Sequence, residues 1–282
     1  MKTRYAFLLI MLAITALHFS CAESDKEFVK IAMCQIICLD GDREGNLVRV
    51  ESAIREAKEK EARIVCFPEM VLFGWVNPDA HKRAFSIPGE DTRRLGRLAK
   101  KYGVYLSAGL AEKEGDRLYD SAVLIDPHGR ILLKHRKINI LTELMEPPYT
   151  PGEEVKVAET EFGNIGILIC ADSFKEPICR RMAELKPDMV FIPYGWAADE
   201  GEWPDHGKSL KRVVQRAAKW MDACVIGTDL VGEITHGPWK GKVYGGQSVS
   251  ATAKGKVLAT ARDRQRDIQV ITVKLRTRKP IP

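Results

Sequence analysis

The chain has 282 residues and a mass of 31.6 kDa, enough for one large domain or two modest ones. Its 44 basic and 38 acidic side chains give a thinly spread net charge of +6, and 45% hydrophobic with 29% charged residues is an ordinary globular balance. That excludes a disordered tail, a coiled coil, a collagen-like chain and a multi-span membrane protein. No basic block stands beside an aromatic platform, so no nucleic-acid partner is expected.

The first residues read differently from the rest. Lys2 and Arg4 precede an apolar run over 5–19, followed by the small residues Ser20, Cys21 and Ala22. This is the layout of a secretory signal peptide, and the run is short for a membrane-spanning helix. Residues 1–22 are therefore expected to be a signal, leaving a domain over 23–282 in an exported protein, periplasmic or secreted. Cys21 also stands where a bacterial lipoprotein carries its lipid, although His18 and Phe19 fit that pattern poorly. In that case the signal ends before Cys21 and the lipid is the chain's one expected membrane contact.

The first candidate strand covers 29–37. Asp40-Gly41-Asp42 then turns into a helix whose Leu47, Val50, Ile54 and Ala57 share one face. A second strand over 63–67 ends at Pro68. Leu95, Leu98, Ala99 and Tyr102 mark another helix, closed by Gly103, and a strand over 104–110 follows. Residues 119–125 and 130–134 form a hairpin-like pair around Asp126-Pro127-His128-Gly129. In the second half, strands over 165–169 and 189–192 flank a helix near 180–185. Residues 210–220 are helical, 224–230 form a strand, and strands over 247–251, 256–260 and 268–273 close the chain. No Ser/Gly/Pro-rich linker divides these elements, so they read as one α/β domain with two sheets sharing a core beneath helices.

The chain has seven cysteines, of which Cys34, Cys38, Cys66 and Cys224 lie in apolar stretches and read as buried free thiols. Cys34 and Cys38 are four apart, but no second pair follows at zinc-ligand spacing, so no metal is expected.

Three reactive side chains end apolar strands, where α/β folds place their sites. Glu69 follows Ile64-Val65-Cys66-Phe67-Pro68. Lys137 lies in Lys134-His135-Arg136-Lys137-Ile138-Asn139, after Ile131-Leu132-Leu133. Cys170 ends the run Ile167-Leu168-Ile169. Singly, each has a plain explanation as a turn acid, a wet basic surface or a small core hydrophobe. Together they supply a thiol, a carboxylate base and a fixed cation. A free thiol is barely ionised at neutral pH, so a nucleophilic one needs such neighbours.

With these motifs in order, the chain from residue 23 onward resembles the carbon–nitrogen hydrolase (nitrilase) superfamily, whose triad is Glu-Lys-Cys. The Glu segment corresponds to Phe67-Pro68-Glu69-Met70 through Phe73-Gly74. The Lys segment corresponds to His135-Arg136-Lys137 and the Cys segment to Ile169-Cys170-Ala171-Asp172. Ala32, Gln35, Gly41-Asp42, Asn46, Pro151-Gly152, Ile192-Pro193-Tyr194, Arg216-Ala217 and Gly245-Gly246-Gln247-Ser248 also match. Lys219 and Trp220 depart from the acid and Asn that often follow the Arg-Ala pair.

The resemblance implies an α/β fold of the four-layer αββα sandwich type. It implies Glu69 as general base, Cys170 as nucleophile, and Lys137 with the Ala171 backbone N–H as oxyanion donors. A second acid is implied between the Lys and Cys segments: Glu146 by its distance from Pro151-Gly152, with Glu143 as the alternative. Neither metal nor organic cofactor is implied. Ala171-Asp172, where true nitrilases usually carry Trp and Glu, points to the amidase side of the family. The expectation is a hydrolase of a small amide or carbamoyl compound acting through a thioester, as a homodimer or larger homo-oligomer. Tyr194 and Trp196 follow a strand expected to border the pocket and are candidate substrate contacts. His206 and His236 are expected in surface loops. The rival readings are nitrile hydrolysis or acyl transfer by the same triad, and a non-catalytic small-molecule-binding module on this fold.

The N-terminal expectation has a direct check. The protein recovered from an exporting host should begin at Glu23, or carry lipid on Cys21, by intact mass. Retention of residues 1–22 on a cytoplasmic product would contradict export.

Overall fold

The computed structural model describes residues 27–276, so the expected signal over 1–22, with Cys21, lies outside it, as do residues 277–282. Among the described residues the strands in chain order are β1 (Phe28–Gln35), β2 (Ile64–Cys66), β3 (Tyr105–Glu114), β4 (Arg117–Ile125) and β5 (Ile131–Arg136). They continue with β6 (Val157–Thr160), β7 (Gly163–Ile167), β8 (Met189–Tyr194), β9 (Ala197–Ala198) and β10 (Cys224–Asp229). The last are β11 (Val231–Glu233), β12 (Val243–Gly245), β13 (Val249–Ala251), β14 (Val257–Thr260) and β15 (Asp267–Lys274). Four longer helices are α1 (Arg43–Glu59), α2 (Glu90–Tyr102), α3 (Glu176–Glu184) and α4 (Asp205–Met221).

One six-stranded sheet runs β15-β1-β2-β3-β4-β5, the other β14-β13-β10-β8-β7-β6, and β11, β12 and β9 make a small third sheet. The centre of each large sheet is parallel: β1 with β2 and β3 in the first, β7 with β8 and β10 in the second. Successive side chains of a strand point to opposite faces, and both faces of β1 are apolar. Val29, Ile31 and Met33 meet Ile165, Ile167 and Phe191 of the second sheet. Ala32 and Cys34 face the other way, toward Leu47, Val50 and Ile54 of α1. Leu95 and Ala99 of α2 join that outer layer, and α3 and α4 cover the far side of the second sheet with Met182, Leu210 and Val214. The result is four layers, helix–sheet–sheet–helix, as the resemblance implies.

The helices begin and end where the sequence places their signals. Asp42 caps α1 by accepting from the Gly45 N–H at 3.0 Å, and α2 closes at Gly103 with φ +60°. Asn46 is buried in the first turn of α1. Its side-chain amide donates to Leu39 O and Leu72 O, tying the strand-to-helix turn to the segment that follows Glu69.

Two departures from the sequence reading matter for the site. The basic stretch 134–139 was expected beyond its strand, but β5 runs through Arg136. Alternation explains this: Lys134 and Arg136 point outward and both pair with Glu112, while His135 and Lys137 are buried. Residues 247–251 do not form one strand either. Gly246 and Gln247 take positive φ, and only Val249–Ala251 pairs.

Among the described residues no helix is long and apolar enough to cross a membrane. Leu95 is fully buried between α2 and the first sheet. Leu95→Ala is expected to lower stability by about 2–5 kcal/mol in chemical denaturation with an unchanged m-value. A loss within a few tenths of a kcal/mol would contradict the layer assignment.

Candidate active site

Glu69 follows β2 through Phe67-Pro68, and the chain holds it from three sides. Its N–H donates to Tyr194 O at 3.3 Å, at the end of β8 in the opposite sheet. Gly109 of β3 lies beneath it, where a Cβ would come within 2.6 Å of the Glu69 Cα. On its far side, a Cβ on Gly195 would lie 3.1 Å from Glu69 Oε2. Only glycine lets the two backbones approach this closely. The Glu69 side chain is completely buried, with Oε1 accepting from Lys137 Nζ at 2.6 Å. Oε2 has no hydrogen-bond partner.

Lys137 leaves the end of β5 and is itself buried. Its N–H donates to Asp120 O at 2.8 Å and its carbonyl accepts from Gly152 N at 2.7 Å, so Pro151-Gly152 packs against the lysine's backbone. Its ammonium donates to two carboxyl groups, Glu69 and, at 3.0 Å, Asp120 of β4. Burial opposes the charge on Lys137, but Asp120, Glu69 and Cys170 outweigh it and raise its pKa well above the usual lysine range. Asp120 moves the other way from a normal acid. Burial and the neighbouring Glu69 charge raise it well above the carboxylate range, against the pull of Lys137.

Cys170 opens a tight turn (Cys170–Phe174) just past β7, with a positive φ of 39°. A non-glycine residue there stores about 1–3 kcal/mol, which surrounding bonds must hold. They do. Ser173 Oγ donates to Cys170 O at 2.6 Å and meets the Tyr194 hydroxyl at 2.9 Å. Asp172 then latches the turn to the lysine segment. Its Oδ1 accepts from the N–H groups of Ile138 and Asn139 at 2.9 and 2.7 Å, and its Oδ2 accepts from His135 Nε2 at 2.8 Å. The Asn139 amide returns the tie by donating to Ala171 O at 2.7 Å. Burial opposes the charge on Asp172, but His135 and these backbone donors hold its carboxyl below its ordinary range.

The thiol is 4% exposed. Burial, with Glu69 and Asp120 adding to it, raises its pKa well above that of a free cysteine, while Lys137 and the Gly195 N–H oppose the rise. Cys170 therefore rests as a thiol. Gly195 lies near both groups: its backbone N–H is among the influences that lower the Cys170 pKa, and a Cβ on it would come within 3.1 Å of Glu69 Oε2. A cavity of about 10 Å³, room for a single water, lies beside Lys137 under Trp75, Val76, Ile140, Leu141, Leu144 and Tyr149.

Not every candidate joins this cluster. Glu143 and Glu146 are exposed, because their segment turns Leu144, Met145 and Tyr149 inward. The second buried acid is Asp120 instead. Tyr194 is fully buried, and its hydroxyl meets Ser173 Oγ, which braces the turn of Cys170. Trp196 is half-buried; its N–H donates to Asp229 at 2.7 Å, its ring meets Phe174 edge-on, and its indole Nε1 is buried without a partner. His206 packs against Trp196 and Trp203, and His236 lies near Asp40. The described cysteines are all free and buried, and among the described residues no His, Cys, Asp and Glu converge as metal ligands.

The carbon-nitrogen hydrolase family model matches residues 30–282. The chain belongs to that family. It is 28% identical to a nitrilase of Pyrococcus abyssi over 253 residues, 88% of this chain and 90% of that one. It is 32% identical to an omega-amidase of Xenopus tropicalis over 183 residues, a match spanning 59% of this chain and 63% of the relative. A nitrilase-superfamily amidase from Nesterenkonia superposes with a TM-score of 0.76 at 22% identity, covering 88% of this chain and 92% of that one. A variant of that amidase is described with the acetamide moiety of fluoroacetamide joined to its active-site cysteine.

The Asp172 latch gives a pH-dependent prediction. A carboxyl held below its unfolded value stabilises the fold above the unfolded pKa, about 3.9, and that stability is lost as pH falls through the lower folded value. Asp172→Ala is expected to cost about 3–5 kcal/mol at neutral pH, because it strands His135 and three backbone donors. The difference from wild type should shrink in acid. A variant equally stable at neutral pH would remove the latch from the account.

Proposed function

We propose that this carbon–nitrogen hydrolase cleaves small, uncharged amides or carbamoyl compounds, with Cys170 as nucleophile, Glu69 as general base and Lys137 as oxyanion donor. The observation that carries this reading is the division of labour on Glu69. Lys137 occupies Oε1 and leaves Oε2 without a partner, and both Glu69 and Lys137 act electrostatically on the Cys170 thiol.

The resting thiol fixes the order of events. As Cys170 Sγ attacks the carbonyl carbon, its proton passes to Glu69, the one route that avoids a buried thiolate. The carbonyl oxygen gains negative charge and is met by the Lys137 ammonium and the Ala171 N–H. Donors of this kind contribute about 3–4 kcal/mol each. The C–N bond then breaks, Glu69 returns the proton to the leaving amine, and a thioester remains on Cys170. Water gives a proton to Glu69 and attacks the thioester; as the C–S bond breaks and the acid leaves, Glu69 returns that proton to the Cys170 sulfur, restoring the thiol. Asp172 keeps the lysine and cysteine segments in register, and Ser173 with Tyr194 holds the strained turn.

Lys137, already bonded to two carboxyl groups, leaves no cation for a carboxylate-bearing substrate. Export through residues 1–22 places this chemistry outside the cytoplasm.

Ammonia release from a panel of short amides, carbamoyl compounds and nitriles tests the reading. Amides are expected to turn over, with Cys170→Ser at least about 10³-fold slower, given the weaker nucleophile. Preferential turnover of nitriles would move the protein to the nitrilase side of the family. Binding of the panel without turnover, unchanged by Cys170→Ser, would favour a binding module.

A further inference from the structure

The triad makes no chemical use of Asp120, yet Asp120 sits in its centre. It is fully buried on β4, with Oδ2 accepting from Lys137 Nζ at 3.0 Å and Oδ1 without a partner. Glu69 takes the same ammonium at 2.6 Å, and its Oε2 is also unpartnered. Four titratable groups face Asp120: Glu69 after β2, Lys137 after β5, Cys170 in the turn after β7, and Tyr149 in the loop before β6. The Cys170 thiol and the Tyr149 hydroxyl are both pushed up by burial and stay neutral. One cation therefore serves two buried carboxyl groups. If both were ionised, a net negative charge would be sealed in a low-dielectric pocket, which is strongly unfavourable. Adjacent buried carboxyls avoid this by keeping one proton between them.

We propose that Asp120 is a positioning residue that carries this spare proton. As a neutral acid it accepts from Lys137 through its carbonyl oxygen and turns its O–H toward the Glu69 carboxylate. The negative charge stays on Glu69 because Glu69 holds the shorter bond to the ammonium. One lysine thus fixes both acids, and Glu69 alone remains a base. Burial and the Glu69 charge both favour the protonated acid. The proton leaves only as pH rises through that raised value; a second negative charge then appears beside Cys170 and opposes its ionisation further. The catalytic consequence rests on the proposed role of Glu69, whereas the protonation itself does not.

Infrared difference spectra of the whole protein at neutral pH test this without any substrate. The wild type is expected to show a carboxylic-acid C=O band, shifted by deuterium exchange, that is missing from Asp120→Asn. Asn copies the shape and hydrogen bonds of the neutral acid, so alkylation of Cys170 by chloroacetamide, read by peptide mass, should run at the wild-type rate in that variant. Asp120→Ala removes the acceptor on Lys137 and should slow the same reaction by about 10- to 100-fold, the loss of one charge-assisted hydrogen bond. Identical carboxylic-acid bands in wild type and Asp120→Asn would overturn the proposal. So would faster alkylation in Asp120→Asn, which would show that a negative charge had been removed. Should the Asn variant fail to fold, Asp120→Ser gives the same spectral comparison. A band lost on substitution, in a protein that turns over no amide, would refute the proposed function and leave the proton on Asp120.

Discussion

The Lys137 ammonium is buried at the junction of the two sheets' strand ends and bonded to Glu69 and Asp120. A lone buried ammonium costs several kcal/mol unless paired, so the cation holds its place only while both acids hold theirs. Each partner comes from a different strand of the first sheet. Their convergence therefore requires the register of β2, β3, β4 and β5 to be correct. The same ammonium opposes the rise in the thiol's pKa, and in the proposed mechanism it receives the negative charge of the reacting carbonyl. Structure and chemistry depend on one ion.

The second sheet contributes Cys170, the proposed nucleophile, and specific ties join its turn to the lysine segment of the first sheet. Asp172 binds the backbone after Lys137, and Asn139 binds back to Ala171. Glu69 N donates to Tyr194 O, and the glycine that follows leaves room for the Glu69 carboxylate, where a Cβ would lie 3.1 Å from Oε2. The positive φ of Cys170 is thus held by polar bonds within a dry core, where such bonds are strongest. Strain at the nucleophile and rigidity around it are two sides of one arrangement.

Much of this was legible in the sequence, for identifiable reasons. Glu69, Lys137 and Cys170 each end an apolar run, and a reactive group in that position stands out from its neighbours. The apolar stripes of α1 and α2 carry the helical period, and β1 is visible as a near-continuous apolar run because both its faces are buried. The short third sheet was not visible, because strands of two or three residues have no period to detect. Asp120 was missed for a different reason. It sits in mid-run in Leu118-Tyr119-Asp120-Ser121-Ala122, where an acid reads as a solvent-facing strand residue, and only the fold shows that it faces Lys137. Alternation in Lys134-His135-Arg136-Lys137 was the available signal that the first and third charges point outward and the other two inward. The family resemblance implied a second acid between the Lys and Cys segments, and spacing to Pro151-Gly152 put it at Glu146 or Glu143. The apolar residues around them, Leu144, Met145 and Tyr149, compete better for the interior.

Burial raises the pKa of the Cys170 thiol and disfavours a standing thiolate, so the proposed activation runs through proton transfer to Glu69. The most direct test is the rate of Cys170 alkylation by neutral chloroacetamide in wild type and Glu69→Gln, across pH. Electrostatics and general-base catalysis predict opposite signs here. If Glu69 takes the proton, Glu69→Gln slows the reaction by about 10²-fold or more at neutral pH. If Cys170 instead reacts as a thiolate that Glu69 merely repels, Glu69→Gln reacts as fast as wild type or faster, and the account fails.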